Sequence, residues 1–185
     1  MKRIFRIFIL ILLPISGIGG QTIVTDEVLR QGLSELRSGR LEEASTAFQA
    51  VLNDPNLEPF HPDALYWLIK TSIPLEQYET ASLAADRYMV MYPGHGRQEE
   101  VVYQRSRLLF LESEPEDAIV ALGDFIEEYP NSEFVPSAKY WIGESLIVLG
   151  RLEEADAVFE GILNDYPNSV KREASRYRRS EIALL

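Results

Sequence analysis

The chain contains no cysteine. That excludes a disulfide framework, a thiol-anchored lipid and a cysteine nucleophile, and it leaves burial as the source of stability. Histidine is nearly absent as well. His61 and His95 are the only two; both fall in linkers without further ligands at metal spacing, and both read as solvated loop residues. There is no Gly-rich phosphate loop and no serine nucleophile elbow. The paired carboxylates Glu42-Glu43 and Glu153-Glu154 open helices, where they favour the positive end of the helix dipole, and this explains them better than acid–base chemistry. The chain therefore reads as non-catalytic, with no cofactor and no metal. Positive charge is also short, at 18 Lys and Arg against 29 Asp and Glu. A surface of that sign lacks the basic footprint that non-specific nucleic-acid binding needs. The apolar run from Ile7 to Leu13 falls short of the ~20 residues that cross a bilayer as a helix, so no stable span is expected.

What is present begins with a targeting segment. Lys2, Arg3 and Arg6 precede that apolar run, and Pro14, Ser16, Gly17, Gly19 and Gly20 break it with small residues. This is the order of a secretory signal peptide, with cleavage expected between Gly19 and Gln21. Residues 1–20 hold three basic groups and no acidic one, so the remainder carries 15 basic against 29 acidic groups, a formal −14. The expected mature protein is exported and folds in a periplasm-like space. Hydrophobic residues make up 46% of the chain, enough for a packed core.

The rest of the sequence repeats. Gly39-Arg-Leu-Glu-Glu-Ala44 recurs unchanged as Gly150-Arg-Leu-Glu-Glu-Ala155, a distance of three steps of 37 residues. Ala44, Ala81, Ala118 and Ala155 fall on one line at that step, and Tyr66, Tyr103, Tyr140 and Tyr177 on another. Pro93, Pro130 and Pro167, each after a tyrosine, make a third line. At the double step Tyr66-Trp67 pairs with Tyr140-Trp141. Such self-similarity marks a stack of supersecondary units, each unable to bury its apolar face alone. Each unit reads as two helices. In the last one they run from about Ser137 to Leu149 and from about Leu152 to Asp165, separated by Gly150 as a left-handed cap and ended by Pro167. Val51, Tyr88, Phe125 and Ile162 mark the inward face of the second helices, and the alanine line lets those helices lie close to the first. Glu76 and Ser113 stand where the outer units have Gly39 and Gly150, making the middle caps less favourable. Pro115 suits a helix start, whereas Pro74 must shorten or kink the end of its own first helix.

Gly32, Gly39, Ala44 and Phe48, with Gly143, Gly150, Ala155, Phe159 and Pro167, resemble the tetratricopeptide repeat. The likeness spans about Asp26 to Leu185. It implies an all-α, right-handed superhelical solenoid of about four helix pairs, starting near 26, 63, 100 and 137, with a closing helix over 170–185. Residues 1–20 form the signal peptide, 21–25 a short leader and 26–185 the repeat domain. The Tyr129-Pro-Asn-Ser132 and Tyr166-Pro-Asn-Ser169 linkers look like those of envelope tetratricopeptide proteins, such as the Tol–Pal-associated cell-division coordinators and the lipoprotein subunits of the outer-membrane β-barrel assembly machine. The chain lacks the trimerising coiled coil of the former and the lipid-bearing cysteine of the latter.

The same resemblance directs two positions of each unit toward the concave groove. One carries Leu29, Tyr66, Tyr103, Tyr140 and Tyr177, and the other carries Leu33, Lys70, Arg107, Glu144 and Glu181. A tyrosine ladder with cations on one half and carboxylates on the other would grip a protein partner; alternatively, the rings pack between neighbouring helices. The expected partner-binding set is Tyr66, Lys70, Tyr103, Arg107, Tyr140, Glu144 and Tyr177. The basic run Lys171, Arg172, Arg176, Arg178 and Arg179 reads as the solvated face of the closing helix, or as a contact for an anionic partner, a lipid head group or the acidic face of a second copy. Leu184 and Leu185 leave that helix apolar at its end, which allows self-association. The expected function is an exported adaptor or scaffold binding a protein by its concave face; the alternative is an obligate subunit of an envelope complex serving outer-membrane protein assembly or cell division.

Overall fold

The computed structural model describes the backbone of residues 19–184 and the side chains of residues 27–184. Residues 1–18 of the expected signal peptide and Leu185 lie outside them. The chain is built from helices α1 (Gly19–Arg37), α2 (Leu41–Asn53), α3 (His61–Ser72), α4 (Tyr78–Met91), α5 (Gln98–Leu111), α6 (Pro115–Glu128), α7 (Val135–Val148), α8 (Leu152–Asp165) and α9 (Arg172–Ile182), with a short 3₁₀ segment at Pro55–Phe60. No strand occurs among the described residues. Each helix packs mainly on the helices before and after it in sequence, which is the contact pattern of a solenoid.

Four helix pairs close in the same way. The N–H groups of Gly39, Glu76, Ser113 and Gly150 donate to the carbonyls of Leu36, Ile73, Phe110 and Ile147. Those of Arg40, Gln77, Glu114 and Arg151 reach back to Glu35, Ser72, Leu109 and Leu146. These paired bonds satisfy carbonyls that a helix end otherwise leaves open, and they require a left-handed residue at the turn. Gly39 and Gly150 adopt it at φ 75° and 72°, and so do Glu76 at 58° and Ser113 at 68°. The middle units thus keep the turn with side chains that disfavour it.

The core follows the repeat lines. All four alanines of the line are fully buried, as are Val51, Tyr88, Phe125 and Ile162. Burying an aliphatic or phenyl side chain of this size contributes about 1.5–3 kcal/mol. Second helices end at Tyr92, Tyr129 and Tyr166, whose carbonyls accept from the N–H groups of His95, Ser132 and Ser169. Ser132 and Ser169 Oγ then accept from Phe134 and Lys171 N–H, which launches the next first helix. Pro74 follows the end of α3, a 12-residue helix against 14 residues in α5 and α7. Pro115 is the first residue of α6.

One histidine departs from its expected setting. His61 is buried at the start of α3, and its Nε2 lies 3.1 Å from the Val51 carbonyl and 3.3 Å from that of Asp54. It ties the end of α2 to the next unit where the Tyr-Pro linker is missing, so it is a structural cap and not a solvated loop residue. His95 is exposed in its linker, with Nδ1 2.7 Å from the Tyr88 hydroxyl.

Candidate partner-binding face

The first helices α3, α5, α7 and α9 are joined in one layer, the side that the tetratricopeptide resemblance assigns to the concave surface. Side chains join α3, α5, α7 and α9 across three successive junctions, and each junction has its own chemistry. Between α3 and α5, the Tyr66 hydroxyl and Lys70 Nζ both donate to the Glu100 carboxylate, at 2.8 and 2.7 Å. Arg97, just ahead of α5, lies over the Tyr66 ring at 4.1 Å and the Trp67 ring at 5.3 Å, and pairs with Asp63 at 3.4 Å. Between α5 and α7, Trp141 Nε1 donates to the Tyr103 hydroxyl at 3.2 Å, and the Arg107 guanidinium lies 4.6 Å from the Trp141 ring. Between α7 and α9, Arg178 grips Glu144 through two bonds of 2.6 and 2.7 Å, while Lys171 Nζ sits 4.6 Å from the Tyr140 ring.

The tyrosine ladder divides along its length. Tyr66 and Tyr103 are only 6% and 5% exposed. Their rings pack between helices, and Tyr103 also stacks on Phe134 at 5.1 Å. Tyr140 is half-buried against Phe159, and Tyr177 is 63% exposed. Burial pushes the Tyr66 phenol up to about 12, with the Glu100 hydrogen bond acting in the same direction. The tyrosines therefore do not form one continuous exposed strip: two hold the layer together and two reach its surface.

The charged positions divide as well. Lys70 is held by Glu100, and Glu144, at 8% exposure, is held by Arg178. Arg107 makes a hydrogen bond to Gln104 at 3.3 Å, and its Nε is buried without a partner. The basic run of the closing helix serves mostly within the chain. Arg179 reaches Asp156 through two bonds of 2.7 and 2.9 Å, and Arg172 and Arg176 both meet Glu173. Lys171 differs from the other four in having no salt bridge to a carboxylate among the described residues. Sequence reading passed over Arg97 and Trp141 as site residues and placed Lys171 only within the basic run of the closing helix. Their signal was the double step: Arg97 and Lys171 stand 74 residues apart, like Tyr66-Trp67 and Tyr140-Trp141.

No group of side chains able to hold a metal ion occurs among the described residues. Among the same residues, no helix is long and apolar enough to cross a membrane. A layered helical array with polar and aromatic side chains lining one side defines the class: a tetratricopeptide-type repeat protein. Residues 137–169 match a tetratricopeptide repeat model, and residues 22–146 match the model described as YfiO, outer membrane lipoprotein. The chain belongs to this YfiO family.

It is 26% identical over 156 residues to the outer membrane protein assembly factor BamD of Helicobacter pylori (strain ATCC 700392 / 26695), a match covering 78% of this chain and 69% of that protein. Among solved structures it is similar to a tetratricopeptide repeat protein from Parabacteroides merdae ATCC 43184, at a TM-score of 0.65 and 18% identity over 86% of this chain. The chain spans 60% of the length of that protein. It is also similar to MamA from Desulfovibrio magneticus RS-1, at a TM-score of 0.63 and 16% identity, over 91% of this chain and 97% of that one. These two likenesses carry the fold alone.

Proposed function

We propose that the protein is an exported, non-catalytic adaptor that binds a protein partner through its first-helix layer, acting in the periplasm in the assembly of envelope proteins. The observation that carries this reading is membership of an outer membrane lipoprotein family together with a first-helix layer whose side chains are not all consumed by packing. The likeness to an outer membrane protein assembly factor supports the pathway. Within the layer, Arg107, Tyr140 and Tyr177 are the contact residues, with Lys70 and Glu144 shaping the charge around them. Tyr66 and Tyr103 support that surface from beneath. Tyr and Arg are the side chains that most often anchor interfaces.

A second reading, permanent membership of a larger complex, is favoured by the exposed apolar residues Leu83, Val90 and Val120 on the second helices. Leu83 and Val120 stand at equivalent positions one repeat apart. An apolar second face suits an obligate interface better than a transient one.

A photo-crosslinking residue placed at Tyr177 or Arg107 in intact cells tests the adaptor reading, with Leu83 as the second-helix control. The adaptor reading expects one defined adduct from the first-helix positions and none from Leu83. Adducts only from Leu83 would favour the assembly subunit, and failure to find the protein outside the cytoplasm would remove both.

A further inference from the structure

The double step places the same cage in the structure twice, with one difference. In the first copy Arg97 lies over Tyr66 and Trp67, and Asp63 answers its charge at 3.4 Å. In the second copy Lys171 lies over Tyr140 at 4.6 Å and Trp141 at 5.3 Å. The residue equivalent to Asp63 is Ser137, which has no charge to offer. A second cation joins this cage instead: Arg107, 4.6 Å from the same indole. Its counterpart one repeat earlier, Lys70, is held by Glu100, while Arg107 finds only the neutral Gln104.

Two cations thus flank Trp141 without a carboxylate in contact with either among the described residues. The acid that acts on Lys171 from nearby, Glu144, is already bound on both oxygens by Arg178. Burial lowers the pKa of both cations, and Arg107 lowers that of Lys171 further, so the two repel across a partly dry site. Arg107 also keeps a buried Nε without a hydrogen-bond partner. An arrangement of this kind gains most from a ligand that brings negative charge and acceptor oxygens together. Elsewhere in the chain carboxylates outnumber cations, so two cations on one ring stand out by sign.

We infer that Arg107 and Lys171, flanking Trp141, form a receptor for an aspartate or glutamate side chain of the partner protein. The inference rests on the adaptor reading and specifies the chemistry at its centre. The acidic side chain enters over the indole, accepts from the Arg107 guanidinium and the Lys171 ammonium, and takes the place that Asp63 fills in the first cage. Electrostatic pairing of this kind sets register and excludes partners that lack the acid.

The test uses the mature chain carrying Trp67→Phe, so that Trp141 alone reports. It is titrated with an acetylated, amidated Glu-rich peptide, with the matching Gln peptide, and with that Gln peptide bearing a free C-terminal carboxylate. The Glu peptide is expected to change Trp141 emission while the two Gln peptides do not. Arg107→Gln and Lys171→Gln are each expected to weaken binding by about tenfold or more. Ser137→Asp, which restores the internal acid of the first cage, is expected to do the same, with melting curves checking that each variant is folded. Arg87→Gln, at an exposed position of α4 outside the first-helix layer, is expected to bind normally. The receptor is overturned by a missing response up to millimolar peptide, by equal response to Glu and Gln, by binding of the free carboxylate alone, or by indifference to Arg107, Lys171 and Ser137. Cellular crosslinks that persist in the Arg107→Gln, Lys171→Gln double variant would remove the receptor and leave the adaptor. Normal peptide binding with no first-helix crosslink would do the opposite.

Discussion

Gly143 in α7 faces the ring of Phe159 in α8 so closely that a Cβ at the glycine would lie 2.5 Å from Phe159 Cζ. Gly32 meets Phe48 in the first unit in the same way, at 2.7 Å. At the equivalent positions of the middle units the partners are Ile69 with Ala85 and Ser106 with Leu122. Each pair fills a comparable space, but the bulk comes from different helices. Close packing of this kind tolerates exchange of volume between facing positions better than addition to one of them.

Gly143→Ala is therefore expected to lower stability by about 1–3 kcal/mol through overpacking. Phe159→Leu in the same chain should recover part of that loss, because it removes atoms from the point of collision. Denaturant unfolding of the two single variants and the double variant measures the coupling. Strict additivity would mean that the two residues do not share this constraint.

Glu76 and Ser113 hold left-handed turns without the residue that suits them. Replacing either with glycine is expected to raise stability by about 0.5–1 kcal/mol, the difference between relief of Cβ strain and the added freedom of the unfolded chain. Gly150→Ala should act in the opposite sense by about 1 kcal/mol. Thermal melts of the three variants decide the sign in each case.

Tyr103 and Tyr177 occupy the same line but should answer mutation differently. Tyr103→Ala opens a buried contact with Phe125, Phe134 and Trp141 and is expected to cost about 3–5 kcal/mol of stability. Tyr177→Ala, at a mostly exposed site, should change stability by less than about 0.5 kcal/mol. If Tyr177 contacts the partner, its loss should weaken capture in cells instead. Melting curves beside crosslinking yields separate the two behaviours.

Docking of α9 on α8 should weaken in acid. The hydrogen bonds from Arg179 hold the Asp156 carboxyl below the usual carboxylate range. A carboxylate with a lowered folded-state pKa contributes stability that is complete above its unfolded value near 4 and disappears as pH falls through the folded value. The pair is partly exposed, so the contribution is about 0.2–1 kcal/mol. Stability measured against pH should lose part of its acid limb in Asp156→Asn. An unchanged acid limb would show that the pair contributes nothing.

Periodicity made the helical array legible before any coordinates. The alanine line, the Tyr-Pro line and Gly39 and Gly150 all fell where the solenoid uses them, and α8 runs over the residues that its pattern marked. These features are local, since a small residue, a helix stop or a left-handed cap acts on the turn in which it stands. His61 was misread because its partners, the carbonyls of Val51 and Asp54, become neighbours only when the 3₁₀ segment folds the linker back.

The candidate site was legible only as a row of residue types at one period. Sequence by itself determined which tyrosines and charges stand at equivalent positions in each unit, because chemical bonding and helical pitch set that order. Tertiary structure alone decided that Tyr66 and Tyr103 are enclosed, that Glu144 is taken by Arg178, and that Arg107 and Lys171 both lie against Trp141 with no acid in contact among the described residues. Equivalent positions in a repeat share a backbone but not a neighbour. Whether a side chain is consumed within the chain or left for a partner depends on the residue facing it from the next unit, and that residue is chosen by how the units stack.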